Sequence, residues 1–430
     1  MLAGEQNVDA PTAPAIGLAQ GPVLSQSRPR STVARRLRHL LSLDDFDDAA
    51  RRHLPFMLYS FIAGGSETGA AVRGNRASYA DYDFVPRVLA DVSGRMQATT
   101  LFGQRYAAPF GIAPMGAAAL CAYRSDIVLA RAAAAANIPM ILSASSLIRL
   151  EEVRQEGATS WYQAYLPGEV DRIEALVDRV AAAGYDTFVL TADVPVASNR
   201  ENNIRNGFNI PMNPSVRLVW DGLTHPSWLL GTWFRTLARH GMPHFENMDA
   251  GRGPPILSRN LLRALGKRDQ LAWGHLDLIR RRWSGRLVVK GVLSREDARI
   301  ARESGVDGII VSNHGGRQLD GAVAPLRVLP DIAAEANGMT VMLDGGIRRG
   351  TDVVKALALG ADFVFLGRPF LYAAAIGGEA AVRHAIDLLS QEIDRDLALL
   401  GITNPGQLGP HLLTRSGLGG SGAAGSQATG

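Results

Sequence analysis

An imidazole and a guanidinium lie three residues apart, at His314 and Arg317, within the run Ser312-Asn-His-Gly-Gly-Arg-Gln-Leu-Asp320. Histidine can take up a proton near neutral pH, and arginine can hold a carboxylate through two parallel hydrogen bonds. The pair therefore favours chemistry in which a proton leaves a substrate beside its carboxylate group.

Four more side chains are candidates for the same site. Arg200 and the phenol of Tyr165 can contact a substrate anion and the oxygen next to it. Asp193 can orient the ring of His314 and stabilise its protonated form. Lys290 ends an apolar run, whereas an ordinary surface lysine is expected on a helix exterior.

Two glycine-rich segments indicate a phosphate site. Glycines let backbone N–H groups approach an anion at a helix N-terminus, and an arginine adds a charged fork. An ordinary tight turn would explain one such segment, but two of them favour phosphate. The segments are Asp344-Gly345-Gly346-Ile347-Arg348-Arg349-Gly350 and Gly367-Arg368-Pro369.

Eight short apolar runs predict the fold. They alternate with amphipathic helical stretches, which is the pattern of repeated β/α units with a parallel sheet. The runs are Pro109–Pro114, Ile138–Ser143, Ser160–Tyr165, Thr187–Asp193, Leu287–Lys290, Gly308–Ser312, Val341–Asp344 and Phe363–Leu366. Eight of them predict a closed (β/α)8 TIM barrel. An open doubly wound sheet is the alternative, but it would carry a glycine-rich turn after its first strand, and Ala113-Pro-Met-Gly116 is not that turn.

Polar residues follow nearly every run. The carboxyl ends of the strands meet at one rim of a parallel barrel, so these residues are expected to converge. A serine or threonine alone would usually cap a helix, and an aspartate or histidine alone would often be structural. The convergence of the whole set predicts a functional site. The set is Ser143, Gln163, Tyr165, Thr191, Asp193, Lys290, Ser312, Asn313, His314, Asp344 and Arg368.

Composition divides the chain and excludes several classes of function. The predicted parts are a flexible arm over residues 1–40, a barrel domain over 41–413 with an insertion or lid over 198–269, and a flexible tail over 414–430. Lys and Arg number 45 against 41 Asp and Glu, and the net charge of +4 is too small to indicate a nucleic acid partner. The single cysteine, Cys121, excludes an internal disulfide and a metal site built from cysteines.

Two predicted helices precede the barrel. Leu43–Leu54 forms the first, Pro55 opens the second, and Gly64-Gly65 ends it. The pair would close the bottom of the barrel or flank its mouth. No stretch is apolar and long enough to cross a bilayer, and the N-terminus lacks the apolar core of a secretory signal. We therefore expect a cytoplasmic protein, with peripheral contact at the inner face of the membrane as the alternative.

The chain closely resembles the FMN-dependent L-2-hydroxy acid oxidase and dehydrogenase family, which includes glycolate oxidase, lactate oxidase and monooxygenase, flavocytochrome b2 and mandelate dehydrogenase. The likeness runs from about Leu43 to Leu413 and is carried by Ser312–Asp320, by Leu343-Asp-Gly-Gly-Ile-Arg-Arg-Gly-Thr-Asp352 and by Lys355-Ala-Leu-Ala-Leu-Gly-Ala361. The resemblance implies a homotetramer with bound FMN that oxidises a lactate- or mandelate-like L-2-hydroxy acid to the 2-keto acid.

The resemblance also assigns roles to residues. His314 would be the active-site base with Asp193 as its partner, while Arg317, Arg200 and Tyr165 would bind the substrate. The implied cofactor contacts are Ser143, Gln163, Thr191 and Lys290 around the flavin ring, Pro114, Met115 and Gly116 near flavin N5, and Asp344, Gly345, Gly346, Arg348, Gly367 and Arg368 at the phosphate end. Ser312 is a further implied cofactor contact.

Two positions leave the substrate and the acceptor open. Family members typically carry a tyrosine where this chain has Phe61, so one hydroxyl contact to the substrate carboxylate is missing and a non-standard substrate is the alternative. Gly116 stands where oxidases of the family often carry alanine, which favours a quinone-like electron acceptor over oxygen. A flavin-binding interaction protein without catalysis is least favoured, because His314, Arg317 and Lys290 are all present.

The insertion segment Pro211–Asp249 most resembles the corresponding segment of mandelate dehydrogenase, through Trp220-Asp-Gly-Leu-Thr-His-Pro226 and Arg239-His-Gly-Met-Pro243. It combines aromatic residues with arginines, a composition suited to a membrane interface. A lid or an oligomer contact explains it equally well. The residues concerned are Trp220, Trp228, Trp233, Phe234, Arg217, Arg235 and Arg239.

Overall fold

A computed structural model of the protein describes residues 35–208, 215–258 and 268–416. Most of the predicted N-terminal arm, through residue 34, lies outside the described residues, as does the predicted tail from Gly417 onward. The same holds for 211–214 at the start of the predicted membrane segment and for the side chain of Arg217.

Eight parallel strands close into a barrel, which confirms the predicted (β/α)8 fold. They are β1 (Phe110–Ile112), β2 (Met140–Ser143), β3 (Ser160–Ala164), β4 (Thr187–Thr191), β5 (Arg286–Val292), β6 (Gly308–Val311), β7 (Thr340–Asp344) and β8 (Phe363–Leu366). Each strand pairs with the next in sequence, and β8 pairs with β1 to close the ring. Several strands end earlier than the apolar runs, so Tyr165 and Asp193 lie in the loops just beyond β3 and β4.

Large apolar side chains fill the inside of the barrel. Alternate residues of each strand point inward, and the inward set is Ala113, Ile141, Trp161, Val189, Val288, Ile310, Met342, Phe363 and Phe365. A hairpin of two short strands, Thr99–Leu101 and Gln104–Tyr106, adds Leu101 and Tyr106 to this cluster and covers the amino-terminal end. The filled interior and the covered amino-terminal end leave the carboxyl-terminal end of the barrel open to a ligand.

Helices surround the barrel and carry ordinary end signals. The Ser294 hydroxyl accepts the N–H of Asp297 at 3.0 Å and caps the helix that follows β5. The described α-helices are Leu43–His53, Phe56–Ala63, Ala70–Ala77, Ser125–Ala136, Leu150–Glu156, Val170–Ala182, Glu201–Arg205, Val216–Leu223, Pro226–Trp228, Arg235–His240, Gly274–Arg282, Arg295–Glu303, Pro325–Ala336, Gly350–Ala358 and Arg368–Leu399, and Leu229–Phe234 is a π-helix.

Of the two predicted helices before the barrel, the second lies at its mouth. We label them α1 (Leu43–His53) and α2 (Phe56–Ala63), as predicted except that Pro55 is the N-cap of α2. The following Gly64-Gly65 pair allows close packing, because a Cβ atom at Gly65 would lie 2.6 Å from the carbonyl oxygen of Gly316. The chain thus passes directly against the loop that contains His314 and Arg317.

The ordered fold extends beyond the predicted boundaries at both ends. Leu37 and Leu40 are buried against the core. The boundary predicted at residue 40 between the flexible arm and the domain is therefore placed too far along the chain. Leu413–Arg415 pairs as a strand with Tyr82–Phe84, so the tail predicted to begin at residue 414 begins too early. In both places a short apolar or extended segment packs on the domain without a strong periodic signal in the sequence.

Neighbouring leucines test the first of these boundaries. Leu40 is 2% exposed and Leu41 is 71% exposed. We expect Leu40→Ala to lower the free energy of unfolding by about 2–5 kcal/mol, because it leaves a cavity in the core. Leu41→Ala is the matched control and should change it by less than about 0.5 kcal/mol. Denaturant unfolding of both variants measures this, and equal small effects would mean that residues 35–40 do not belong to the fold.

Candidate active site

A cavity of about 660 Å³ opens at the carboxyl-terminal end of the barrel. Its floor includes the last residues of several strands, and its rim includes the loops after β1, β4, β6, β7 and β8 together with α2. Most side chains that the sequence singled out for chemistry line this one cavity, including Tyr165, Arg200, Lys290, His314 and Arg317.

His314 lies between Asp193 and Tyr165. Its Nδ1 atom is 2.9 Å from Asp193 Oδ1, and its Nε2 atom is 3.3 Å from the Tyr165 hydroxyl. The backbone of His314 has a φ of +59°, which is uncommon outside glycine, and its N–H donates to Ser312 Oγ at 3.0 Å. The structure therefore brings together the three side chains that the sequence placed in one group.

A bulge in β5 makes room for Asp193. The pairing of β5 with β6 shifts between Lys290 and Val292, and Gly291 between them has a φ of +108°. A Cβ atom at Gly291 would lie 2.6 Å from the Cβ atom of Asp193. Glycine is thus required here both by the backbone conformation and by the space that the carboxylate occupies.

Burial and neighbouring charges set the protonation states of this group. Burial lowers the pKa of His314 below its ordinary value, although the Asp193 carboxylate opposes the shift. Burial alone would raise the pKa of Asp193, but His314 and Lys290 hold it below its ordinary value. Burial raises the pKa of Tyr165. Near neutral pH the group therefore consists of a neutral imidazole, a carboxylate and a protonated phenol.

Lys290 is a buried cation in the floor of the cavity. Its Nζ atom lies 2.9 Å from Asp344 Oδ2 and donates to Ser312 Oγ at 2.7 Å. Burial alone would lower the pKa of Lys290, but the carboxylates of Asp344 and Asp193 raise it above its ordinary value, so the amine stays charged. Asp344 was expected at the phosphate end, whereas the structure pairs its carboxylate with Lys290.

Two arginines hold the C-terminal end of α2. The last carbonyl groups of a helix lack partners within the helix and carry partial negative charge. Arg368 donates to two carbonyl oxygens at this end, at 2.9 and 3.0 Å. Nη1 of Arg317 donates at 2.8–3.2 Å to the carbonyl oxygens of Phe61, Ile62 and Gly64. Nε and Nη2 of Arg317 make no hydrogen bond within the part of the chain that the structure describes.

Phe61 packs directly against the guanidinium of Arg317. The centre of its ring is 5.0 Å from the guanidinium carbon and 4.3 Å from the centre of the Phe208 ring. Arg200 is positioned by polar side chains, since its Nε donates to Ser198 Oγ at 2.9 Å and its Nη2 to Gln318 Oε1 at 3.0 Å. The substrate end of the cavity thus combines an apolar wall with two oriented cations.

The comparisons with known proteins agree with this geometry. Residues 50–415 match the family described as FMN-dependent dehydrogenase. The chain belongs to this family. It is 38% identical over 381 residues to (S)-mandelate dehydrogenase from Pseudomonas putida, covering 88% of this chain and 95% of that protein. It is 39% identical over 384 residues to L-lactate dehydrogenase from a Caulobacter species, covering 87% and 98%. The crystal structure of the monotopic membrane protein (S)-mandelate dehydrogenase covers 88% of this chain and 100% of its own, with a TM-score of 0.82 and 37% identity.

The floor of the cavity fits the cofactor of FMN-dependent dehydrogenases. Three buried side-chain atoms near the carboxyl-terminal ends of the strands lack a hydrogen-bond partner among the described residues, namely Gln163 Nε2, Thr191 Oγ1 and Asp344 Oδ1. Thr191 and Asp344 line the cavity itself. Buried polar atoms are normally hydrogen-bonded, so these atoms indicate a polar ligand. The pyrimidine edge of a flavin carries both carbonyl acceptors and an N–H donor, and these can pair with such atoms and with Lys290.

The opposite end of the floor fits a phosphate group. Gly345 and Gly346 have φ values of +111° and +83°, and a Cβ atom at Gly346 would lie 2.3 Å from the carbonyl oxygen of Asn75. Two helices begin beside these turns, at residues 350 and 368. Burial lowers the pKa of Arg348 to about 10, so an anion beside it would stabilise its charged form. An FMN-dependent dehydrogenase needs such a site for the ribityl phosphate.

Sequence reasoning missed three residues of this site. Asn75 and Asn313 exchange two side-chain hydrogen bonds of 2.7 Å and so tie the third helix to the loop of His314. Asp221 accepts the first two N–H groups of α2, each at 3.0 Å. Arg268 lies in the cavity over the ring of Tyr165, 4.8 Å from its centre. Asn75 and Arg268 lie outside the recognised motifs. Asp221 lies within the segment Trp220–Pro226 that resembles mandelate dehydrogenase, but that likeness assigned it no contact.

The structure divides the aromatic residues of the insertion into two groups. Trp228 is buried and donates to the carbonyl oxygen of Leu120 at 2.8 Å, and Trp233 stacks on it with ring centres 6.4 Å apart. Trp220 and Phe234 are 68% and 50% exposed. The first pair therefore anchors the insertion on the barrel, which corrects the expectation that all four suit a membrane interface. No helix within the described ranges is long and apolar enough to span a bilayer.

The Lys290–Asp344 pair can be tested without turnover. We expect Lys290→Met to lower the free energy of unfolding by about 3–5 kcal/mol in flavin-free protein, because it leaves the Asp344 carboxylate buried without its cation. The double variant Lys290→Met with Asp344→Asn should recover much of that loss. Denaturant unfolding of the single and double variants measures this coupling. Additive losses would show that the two side chains do not interact.

Proposed function

We propose that this FMN-dependent dehydrogenase oxidises an L-2-hydroxy acid to the 2-keto acid. The observation that carries the proposal is the contact chain from Asp193 through His314 to Tyr165, at 2.9 and 3.3 Å, beside Arg317 and above a floor that fits flavin. The names of the relatives, L-lactate dehydrogenase and (S)-mandelate dehydrogenase, support this substrate class. The two acids differ in side chain, a methyl group in one and a phenyl group in the other.

The side chains divide the work at the reacting carbon. FMN, when bound, would supply the acceptor for the electrons that leave the substrate. Nε2 of His314 takes up the proton that the substrate releases, because burial keeps the ring neutral beforehand. Asp193 holds Nδ1 and stabilises the positive charge that then forms on the ring. The Tyr165 hydroxyl stays protonated and donates to a substrate oxygen.

The substrate carboxylate binds at Arg317. Its Nε and Nη2 atoms supply the fork, while Nη1 remains on the carbonyl groups of α2. Arg200 adds a second cation. Phe61 contributes an apolar ring where a phenol would add a hydroxyl, so its position supports an apolar contact to the substrate, and a non-standard substrate on the same scaffold stays the alternative.

In this proposal the ends of the strands would hold the flavin. Ser143, Gln163, Thr191 and Lys290 would hold its ring, and Arg348 and Arg368 would hold its phosphate. The backbone of residues 114–116 would face N5. Gly116 also has a local reason to be glycine, since a Cβ atom there would lie 2.8 Å from the Cβ atom of Ser145. Packing by itself therefore explains glycine at this position.

His314 supplies the most direct test. We expect His314→Gln to retain FMN and to reduce it about 10²- to 10⁴-fold more slowly with L-lactate or L-mandelate, since a positioned base typically contributes that much. Anaerobic stopped-flow absorbance of the flavin measures the rate. Near-normal reduction in this variant would remove His314 from the mechanism.

The same residue predicts the pH dependence. The active form has neutral His314. We therefore expect kcat/KM to be highest above the lowered pKa of His314 and to fall as pH falls through that pKa. Asp193 raises the pKa of His314, so Asp193→Asn should shift this acid limb to lower pH and also lower the plateau. An acid limb at higher pH in Asp193→Asn would contradict the assignment.

A quinone-like carrier is the proposed electron acceptor. The support is the surface of the insertion, where a group of exposed apolar side chains forms what we call the apolar face. Its members, from 50% to 88% exposed, are Val216, Val219, Trp220, Leu223, Leu230 and Phe234. The related (S)-mandelate dehydrogenase of known structure is a monotopic membrane protein, and membranes hold quinones. We expect reduced enzyme to be reoxidised faster by a soluble quinone than by oxygen; rapid release of hydrogen peroxide would favour the oxidase reaction instead.

The apolar face is proposed to contact the membrane surface peripherally. The double variant Trp220→Glu with Leu223→Glu should bind about 10-fold or more weakly to phosphatidylcholine–phosphatidylglycerol vesicles, because both side chains lose apolar burial in the lipid. Val88→Glu with Leu89→Glu is the matched control, since those residues are 84% and 103% exposed elsewhere on the chain. Co-sedimentation measures binding. Equal loss in both pairs would indicate a charge effect, and no loss would assign the face to an oligomer or lid contact. The homotetramer stays a prediction.

A further inference from the structure

Arg268 is a cation in the cavity to which the proposed reaction gives no role. It begins the short 3-10 helix Arg268–Gln270 at the end of the insertion, and it lines the same cavity as His314 and Arg317. Its guanidinium carbon lies 4.8 Å from the centre of the Tyr165 ring. Tyr165 thus contacts His314 through its hydroxyl and Arg268 through its ring face.

Arg268 has an unused hydrogen-bonding group. Its Nε atom is buried and has no partner among the described residues, and no carboxylate of those residues lies within ion-pair distance. Burial lowers the pKa of Arg268, which the neighbouring Tyr165 partly offsets. The residue as a whole is half-buried, and its buried Nε donor is unfavourable unless a ligand supplies an acceptor.

The charges around the cavity leave Arg268 unmatched after the proposed ligands are placed. Lys290 is paired with Asp344, and His314 with Asp193. Five arginines also line the cavity, namely Arg200, Arg268, Arg317, Arg348 and Arg368. The phosphate of FMN brings a charge of roughly −2, as phosphate monoesters do at neutral pH, and one substrate carboxylate brings −1. Positive charge therefore remains on the substrate side, where Arg268 lies.

Position argues against Arg268 sharing the carboxylate next to the reacting carbon. That carboxylate is assigned to the free fork of Arg317, which lies against Phe61 and the end of α2. Arg268 is displaced toward the ring face of Tyr165 and comes from the insertion. It is placed to meet the far end of a substrate whose hydroxyl group faces His314.

We propose that Arg268 determines substrate specificity by binding a second acidic group, so that the preferred substrate is a dicarboxylic L-2-hydroxy acid. This inference rests on the proposed oxidation of 2-hydroxy acids and names its substrate class. Arg268 takes no part in bond breaking. Its guanidinium donates to the distal carboxylate, and the cation–π contact with Tyr165 fixes its orientation.

Chain-matched substrates test the proposal in the holoenzyme. Anaerobic flavin reduction is measured with L-malate against L-2-hydroxybutyrate and with L-2-hydroxyglutarate against L-2-hydroxyvalerate. We expect the wild-type enzyme to have the higher kcat/KM for the diacid of at least one pair. Arg268→Met should lower kcat/KM for that diacid about 10- to 100-fold, the range of one charged hydrogen bond, and change the monoacid by less than about threefold. Arg268→Lys should fall between the two enzymes.

The exposed Arg281 supplies a control for loss of charge alone, and Arg281→Met should leave both members of each pair unchanged. A second readout avoids turnover: binding of 2-oxoglutarate against 2-oxovalerate, followed by the change in flavin absorbance. Arg268→Met should abolish the preference for 2-oxoglutarate. No diacid preference in the wild-type enzyme, or an unchanged preference in Arg268→Met, overturns the role of Arg268. Failure of every 2-hydroxy acid to reduce the flavin would instead overturn the proposed function, while the binding readout still tests Arg268.

Discussion

The closed ring of eight parallel strands forces all of the polar chemistry to one end. The interior is filled by residues such as Trp161 and Phe365, and a hairpin covers the amino-terminal end. Polar side chains at the last positions of the strands therefore have only each other and a ligand as partners. Lys290 pairs with Oδ2 of Asp344. Oδ1 of Asp344 and Nε2 of Gln163 have no hydrogen-bond partner among the described residues. The floor is in this sense built for a polar ring system.

Electrostatics at the rim follow from the same constraint. Charged groups at the mouth lie over an apolar interior, so each cation needs a nearby acceptor. Arg317 and Arg368 find theirs at the negative end of α2, which is an acceptor made of backbone rather than of a carboxylate. The carbonyl groups orient the arginines without neutralising them. Burial lowers the pKa of both arginines, so an anionic ligand beside them would stabilise their charged form.

The sequence predicts the barrel and most of the site because strand-end motifs fix both type and place. The eight apolar runs locate every strand of the barrel, and the loop after β6 contains His314 and Arg317 in a recognisable run. The partner of Asp344 could not be predicted in this way, since it depends on which side chains point inward across the ring. Arg268 lies in a long insertion without periodicity, where one arginine among many carries no positional signal.

The structure also shows why boundaries were harder to predict than elements. Leu40 and the strand Leu413–Arg415 belong to the fold through a few long-range contacts that leave no local pattern. Trp228 and Trp220 have the same residue type and lie close in sequence, yet one is buried and the other is exposed. Composition identifies the insertion as unusual, and only tertiary packing distinguishes its anchor from its surface.

Helix α2 has different neighbours at its two ends. Asp221, from the helix that carries much of the apolar face, accepts the N–H groups at its start, while Arg317 donates to the carbonyl groups at its end. An eight-residue helix is a stiff strut of roughly 12 Å. A sideways shift of the insertion must therefore either break the Asp221 contacts or move the carbonyl groups that aim Arg317. The position of the Arg317 guanidinium, which is proposed to bind the substrate anion, is in this way coupled through α2 to the position of the apolar face.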